Sequence, residues 1–175
     1  PLHSKNSHKH SRGKIISVSG SVGYTGACIL AVEGSLKSGA GIIKVLVPES
    51  LNNIYENSIN EAITIPIPDK SSGTFLLENV EKVLDEIKWA DTILFGPGLQ
   101  NDSKAVEWMI EVLKKINKPL VLDASGFQPL IDNKMNIDDL PKETILTPHY
   151  AEFCNIFNLN LKKTNDNPID AVRSI

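Results

Sequence analysis

From Gly13 onward the chain alternates short apolar runs with stretches whose apolar residues recur at helical spacing, and this alternation constrains the fold more than any other feature. A strand, a crossover helix and a second strand in the same sheet leave the two strands parallel, so the pattern predicts βαβ units around a mostly parallel sheet. The apolar runs are Ile15 to Val18, Ile42 to Val47, Thr64 to Pro68, Thr92 to Phe95, Leu120 to Leu122 and Thr144 to Leu146. Ile42 to Val47 is almost wholly apolar, as a strand covered on both faces should be. Pro66 and Pro68 remove backbone donors from the third run and either place it at a sheet edge or make it short.

The stretches between these runs predict helices. The first carries Ala27, Leu30, Ala31 and Leu36 and stops at Gly39, a residue suited to a left-handed cap. Leu76 to Lys88 sets Leu77, Val80, Val83, Leu84 and Ile87 against Glu78, Glu81 and Glu86, an amphipathic crossover helix. Asp102 or Ser103 caps the next, whose inward stripe is Val106, Met109, Ile110 and Leu113. A helix after His149 turns Phe153, Ile156 and Phe157 inward, and Asn167-Pro168 opens a last stripe of Ile169, Val172 and Ile175. The expected fold class is therefore α/β.

With 175 residues, 41% of them hydrophobic and 22% charged, the chain suits one domain with one core. Its 18 Lys+Arg against 21 Asp+Glu leave a formal charge of -3, which provides no basic field for a nucleic acid or an anionic membrane. No apolar run approaches the roughly 20 residues of a membrane span. Cys28 and Cys154 lie too far apart for a zinc knuckle or a disulfide framework, and a reducing cytoplasm is the expected compartment. Residues Pro1 to Arg12 are polar, hold His3, His8 and His10, and read as a lead-in rather than a metal site, because no cysteine or carboxylate accompanies the histidines. The domain is expected to run from residue 13 to 175; opening on Pro1 and stopping within a helical pattern give the sequence the look of an excised piece.

Ligands of an open parallel sheet bind outside the carboxyl ends of its strands. Four such ends carry suggestive residues: Gly20 to Ala27, Gly96 to Leu99, Asp123 to Gly126 and Thr147 to Glu152. The first is a glycine-rich strand-to-helix turn that lacks the Lys-Ser/Thr of a Walker loop and the spacing of the dinucleotide fingerprint, so it serves either a ligand or a tight turn. Gly96-Pro97-Gly98 makes a bend free of side chains. Asp123 suits a metal, a ribose or a helix cap equally. Thr147-Pro148-His149 sets an imidazole and helix amides against an incoming anion, with Glu152 one turn on; the alternative is a plain surface histidine. Cys154, with no base at a recognisable spacing, reads as a core thiol.

Taken in order, Gly23-Tyr24-Thr25-Gly26-Ala27, Ser38-Gly39-Ala40-Gly41-Ile42, Gly96-Pro97-Gly98-Leu99, Val121-Leu122-Asp123-Ala124 and Ile145 to Phe153 with its Thr147-Pro148-His149 and Glu152 resemble the NAD(P)H-hydrate dehydratase family over roughly Gly13 to Phe157. The resemblance implies a ribokinase-like three-layer α/β/α sandwich and a metabolite-repair lyase. Such enzymes use ADP or ATP with Mg2+ to return the S-hydrate of NADH or NADPH to the normal dinucleotide, and the Thr-Pro-His wording favours ADP. Carried over by position, Ala27 contacts the hydrated dinucleotide at the first turn, Gly98 lets it pass the second, His149 contacts it at the third and Glu152 lines the same pocket. Tyr24, Gly26 and Asp123 complete the candidate set; no metal ligand is assigned. Three positions depart from the family's usual wording: Gln100 stands in place of glycine, Ser125 of an acidic residue and Ala151 of glycine. The family's Gly-Thr-Gly-Asp loop, whose aspartate is the catalytic base, does not occur in these 175 residues, so no catalytic residue is assigned. Homo-oligomerisation, and fusion or pairing with an NAD(P)H-hydrate epimerase, are further expectations. The alternatives are a vitamin-precursor kinase of the same superfamily and a non-catalytic dinucleotide-binding module.

Overall fold

The computed structural model describes residues 12–160, 167–173 and 175. The amino-terminal histidines lie outside them. Strands β1 (Lys14–Val18), β2 (Ile42–Pro48), β3 (Ile63–Ile67), β4 (Thr92–Phe95), β5 (Leu120–Leu122) and β6 (Thr144–Leu146) form one sheet in the order β3-β2-β1-β4-β5-β6. Every neighbouring pair is parallel. All six expected strands are present, and the proline-bearing β3 is an edge strand.

The chain first builds outward from β1 to β3 and then returns to β4 on the other side of β1. Because βαβ crossovers are right-handed, this reversal sends helices to opposite faces. On one face α1 (Thr25–Lys37) and α2 (Asn52–Ser58) bury Cys28, Val32 and Tyr55 against Ile43, Val45 and Val47 of β2. On the other, α3 (Val80–Ile87), α4 (Ser103–Leu113) and the short α5 (Gln128–Ile131) cover Ile16, Val18, Ile93, Phe95, Leu120 and Leu122. Trp108 of α4 stacks on Phe75 at 4.7 Å and on Phe95 at 5.8 Å between ring centroids, joining helix, loop and strand in one layer. Among the described residues two further helices, α6 (Tyr150–Ile156) and α7 (Pro168–Arg173), follow β6.

Several helices differ from expectation. In α1 the buried residues are Cys28 and Val32, while Leu30 is 71% exposed. The helix is apolar nearly all round, so periodicity alone did not select its inward face. Leu77 lies in a 3₁₀ turn ahead of α3 and is exposed, and α4 buries Trp108 and Val112 beside the expected stripe. Phe153, Ile156 and Phe157 are only partly buried, and Ile169, Val172 and Ile175 are exposed.

Among the described residues no helix covers the α1 side of β4, β5 and β6, where Leu94 and Val121 are half-buried and Ile145 is exposed. A trough of about 810 Å³ runs there between α1 and the sheet, past Ile15, Leu94 and Val121, and rises to Pro97, Asp123 and Thr147.

Candidate functional site

Val18, Phe95, Leu122 and Leu146 are register partners across β1, β4, β5 and β6, so Ser19, Gly96, Asp123 and Thr147 start four loops along one edge of the sheet. At strand spacings of about 4.8 Å the outermost two of these loops start about 14 Å apart. Between β1 and β4 the order of construction reverses, which opens the crevice in which doubly wound folds bind ligands.

The β1–α1 turn is tied to two other segments, the loop after β4 and the loop after β3. The Gly20 amide donates to the Pro97 carbonyl at 2.8 Å, and the Ser21 hydroxyl donates to the Gly98 carbonyl at 2.7 Å. The Val22 amide donates to the Gly73 carbonyl at 2.7 Å, and the Gln100 side chain donates to the Val22 carbonyl at 3.1 Å. Gln100, the departure from the family's usual glycine, thus holds the turn from the β4 side.

These ties bring Tyr24, Ala27 and Gly98 together. A Cβ on Gly98 would lie 2.7 Å from the Tyr24 carbonyl oxygen and 3.0 Å from the Ala27 Cβ. The glycine is therefore required by packing against the start of α1, a reason different from the passage of a ligand expected from sequence. Gly23 and Gly26 are the reverse case, since an added Cβ at either meets nothing within 4 Å. Their bare backbone borders open space beside exposed Tyr24 and half-buried Ala27.

Below the turn the Cys28 thiol is fully buried, and burial pushes it up to about 11 although a bond with Ser19 opposes the shift. It stays a neutral thiol. Cys154 is 3% exposed, as expected of a core thiol, and both cysteines are free.

On the β5–β6 side the Thr147 hydroxyl donates to Asp123 Oδ1 at 2.7 Å, which orients that carboxylate at the upper rim of the trough. His149 is the N-cap of α6: its Nδ1 accepts from the amides of Ala151 at 3.2 Å and Glu152 at 3.3 Å. Glu152 reciprocates by accepting from the His149 amide at 2.8 Å, which completes a capping box. The amides expected to face an anion are thus already bonded, and that expectation is corrected. With Nδ1 accepting, the neutral ring carries its proton on Nε2, 3.5 Å from Glu152 Oε1 and on a side chain 69% exposed. His149→Ala should lower stability by about 1 kcal/mol through loss of the cap. Urea denaturation of parent and variant measures this, and equal midpoints would contradict the capping role.

One residue the sequence reading passed over stands out. Asp69, just past β3, is 2% exposed. It accepts from the Ser50 hydroxyl at 2.5 Å and amide at 3.2 Å, and from the amides of Gly73 at 2.7 Å and Ser71 at 3.3 Å. Burial alone would raise its pKa, but these four donors hold the carboxyl below the usual carboxylate range. A group with a depressed folded pKa contributes stability above its unfolded pKa of about 3.9, lost as pH falls through the folded value. Melting temperatures should therefore fall on the acid side for the parent and fall less for Asp69→Asn; parallel curves would contradict this.

An all-parallel sheet with helices packed on both faces and bare loop backbone at its switch point defines an α/β protein of the three-layer class. A model of the NAD(P)H-hydrate dehydratase family matches residues 15–175, and the chain belongs to that family. Curated relatives include a bifunctional NAD(P)H-hydrate repair enzyme of Moorella thermoacetica, 27% identical over 97% of this chain and 32% of its own length. An ATP-dependent (S)-NAD(P)H-hydrate dehydratase of Aedes aegypti is 31% identical over 86% of this chain and 44% of its length. Among solved structures, a ribokinase-like superfamily protein from Enterococcus faecalis has a TM-score of 0.77 at 23% identity, covering 92% of this chain and 54% of its own. The ADP/ATP-dependent NAD(P)H-hydrate dehydratase of Bacillus subtilis, co-crystallised with ATP/Mg2+, has a TM-score of 0.74 at 24% identity, covering 98% and 56%. The chain thus has the ribokinase-like fold and spans about a third of the bifunctional relatives' length.

Proposed function

We propose that the protein carrying this chain dehydrates the S-hydrates of NADH and NADPH back to the dinucleotides, and that this stretch supplies the dinucleotide side of the site. In that reaction the terminal phosphoryl group of ADP or ATP passes to the hydrate's hydroxyl. The C–O bond then breaks with phosphate as leaving group, and a proton leaves the neighbouring carbon. Such chemistry asks chiefly for positioning and charge stabilisation, which suits a crevice of bare backbone better than a nucleophile.

The observation that carries this reading is the contact of Tyr24, Ala27 and Gly98 across the switch point, with Gly23 and Gly26 open beside them. His149 Nε2–H supplies a donor at the far end of the same row of strand ends, and Glu152 holds that ring as well as lining the site. Asp123 completes the set. Among the described residues no three His, Cys, Asp or Glu come together as a metal site.

The test is recovery of nicotinamide absorbance when the gene product, as the cell makes it, receives hydrated NADH with ADP or ATP and Mg2+. Phosphorylation of a vitamin precursor without dinucleotide repair would select a kinase instead, and NADPH binding without turnover a non-catalytic module. We further propose a cytoplasmic homo-oligomer that acts with an epimerase. The edge strand β3 is a surface that association would cover. Among the described residues no helix is long and apolar enough to cross a membrane. A concentration-independent monomer mass in light scattering would contradict the oligomer.

A further inference from the structure

We infer that Asp69 is a positioning residue for the dinucleotide: its carboxylate sets, through Gly73, the shape of the β1–α1 turn that receives the ligand. The inference rests on the proposed function and goes beyond it, since Asp69 belongs to none of the motifs that define the candidate site. The path is short and made of bonds already described. Asp69 accepts the Gly73 amide at 2.7 Å, and the Gly73 carbonyl accepts the Val22 amide at 2.7 Å. Val22 lies two residues before Tyr24, and its own carbonyl is held by Gln100. The turn is therefore clamped between the β3 loop and the β4 loop.

The 69–73 loop cannot keep this shape unaided. Lys70, Ser71 and Gly73 all have positive φ, of 50°, 61° and 70°, and the first two are residues that adopt such values only at a cost. The Ser71 and Gly73 amides that this conformation directs inward end on the Asp69 carboxylate, and the Ser50 hydroxyl pins the carboxylate from β2's end. The fit between loop and turn is also steric. A Cβ on Gly73 would lie 2.7 Å from the Val22 Cβ, so the two segments touch without slack. Phe75, stacked on Trp108, anchors the loop's exit in the core. A turn held in its binding shape before the ligand arrives lowers the ordering cost of binding, and its loss weakens ground state and transition state alike.

The experiment compares Asp69→Asn, Gly73→Ala and the double variant in the gene product as the cell makes it, using hydrated NADPH as substrate. Folded fraction is checked by near-ultraviolet circular dichroism, and amide hydrogen exchange is read at Val22. Each single variant should raise KM about tenfold with kcat within about twofold, and the double variant should be no worse than either, because both act through one strut. Exchange at Val22 should rise in all three. If Asp69→Asn does not fold, Ser50→Ala, which removes only the 2.5 Å bond, takes its place beside Gly73→Ala with the same expected split. A folded Asp69 variant with the parent's KM, or additive losses in kcat, overturns the positioning role and leaves the proposed function standing. A parent that neither repairs the hydrate nor binds NADPH by calorimetry overturns both, and so the two failures are told apart.

Discussion

Gly96→Ala should destabilise the protein by about 3 to 5 kcal/mol, the upper end of what single substitutions do. The added Cβ would lie 1.9 Å from the Asp123 carbonyl oxygen, and 2.8 Å and 2.9 Å from the Gly126 amide nitrogen and Cα. All three atoms are backbone, which cannot turn aside as the tip of a side chain can. The carbonyl is also fixed in place: it accepts the Gly126 amide at 3.0 Å, while the Asp123 amide donates to the Phe95 carbonyl at 3.0 Å. Gly126 has no room to retreat either, since its own Cβ would sit 2.8 Å from Leu122 Cδ1. The φ of +120° at Gly96 adds backbone strain for any L side chain. Domains are stable by only about 5 to 15 kcal/mol, so a large part of the folded population is at stake. Gly34→Ala is the matched control, because Gly34 lies within α1 and a Cβ there meets nothing within 4 Å. It should raise stability by about 0.5 to 1 kcal/mol through helix propensity. Urea midpoints decide the pair, and a Gly96→Ala variant within about 1 kcal/mol of the parent would contradict the close approach of the two strand ends.

The same contacts show why parts of this fold were legible in the sequence and parts were not. Strands such as Thr92–Phe95 and Leu120–Leu122 announced themselves because short β-branched and apolar runs bounded by turn residues have few other uses. Gly96-Pro97-Gly98 was recognisable as a bend, but why each glycine was needed was not. That depends on Asp123 and Gly126 for one and on Tyr24 and Ala27 for the other, contacts created only when separate loops converge. The His149 cap was half visible: glutamate three residues on is the capping-box spacing, whereas histidine is not a usual N-cap residue. Asp69 read locally only as a turn residue ahead of Ser71 and Gly73; its burial was hidden, because its partner Ser50 lies 19 residues earlier and meets it only once β2 and β3 pair.

Gly26→Leu should separate folding from function. Gly26 is the second residue of α1, where leucine has the better helix propensity, by up to about 1 kcal/mol. The side chain would start into open space, with no protein atom within 4 Å of its Cβ, so the melting temperature should hold or rise slightly. The open space is what the proposed function assigns to the dinucleotide. Filling it displaces the ligand from Ala27, and a misplacement of about 1 Å in a site that works by positioning costs on the order of 100-fold in rate. Turnover of hydrated NADPH should therefore fall at least about 100-fold in a protein as stable as the parent. Gly98→Ala should instead lower stability and turnover together, because its Cβ would press on the Tyr24 carbonyl and displace the start of α1. If Gly26→Leu folds normally and keeps the parent's rate, the β1–α1 turn is packing alone and the dinucleotide lies elsewhere along the strand ends. A loss confined to Gly26→Leu's turnover places the ligand against the first turn of α1.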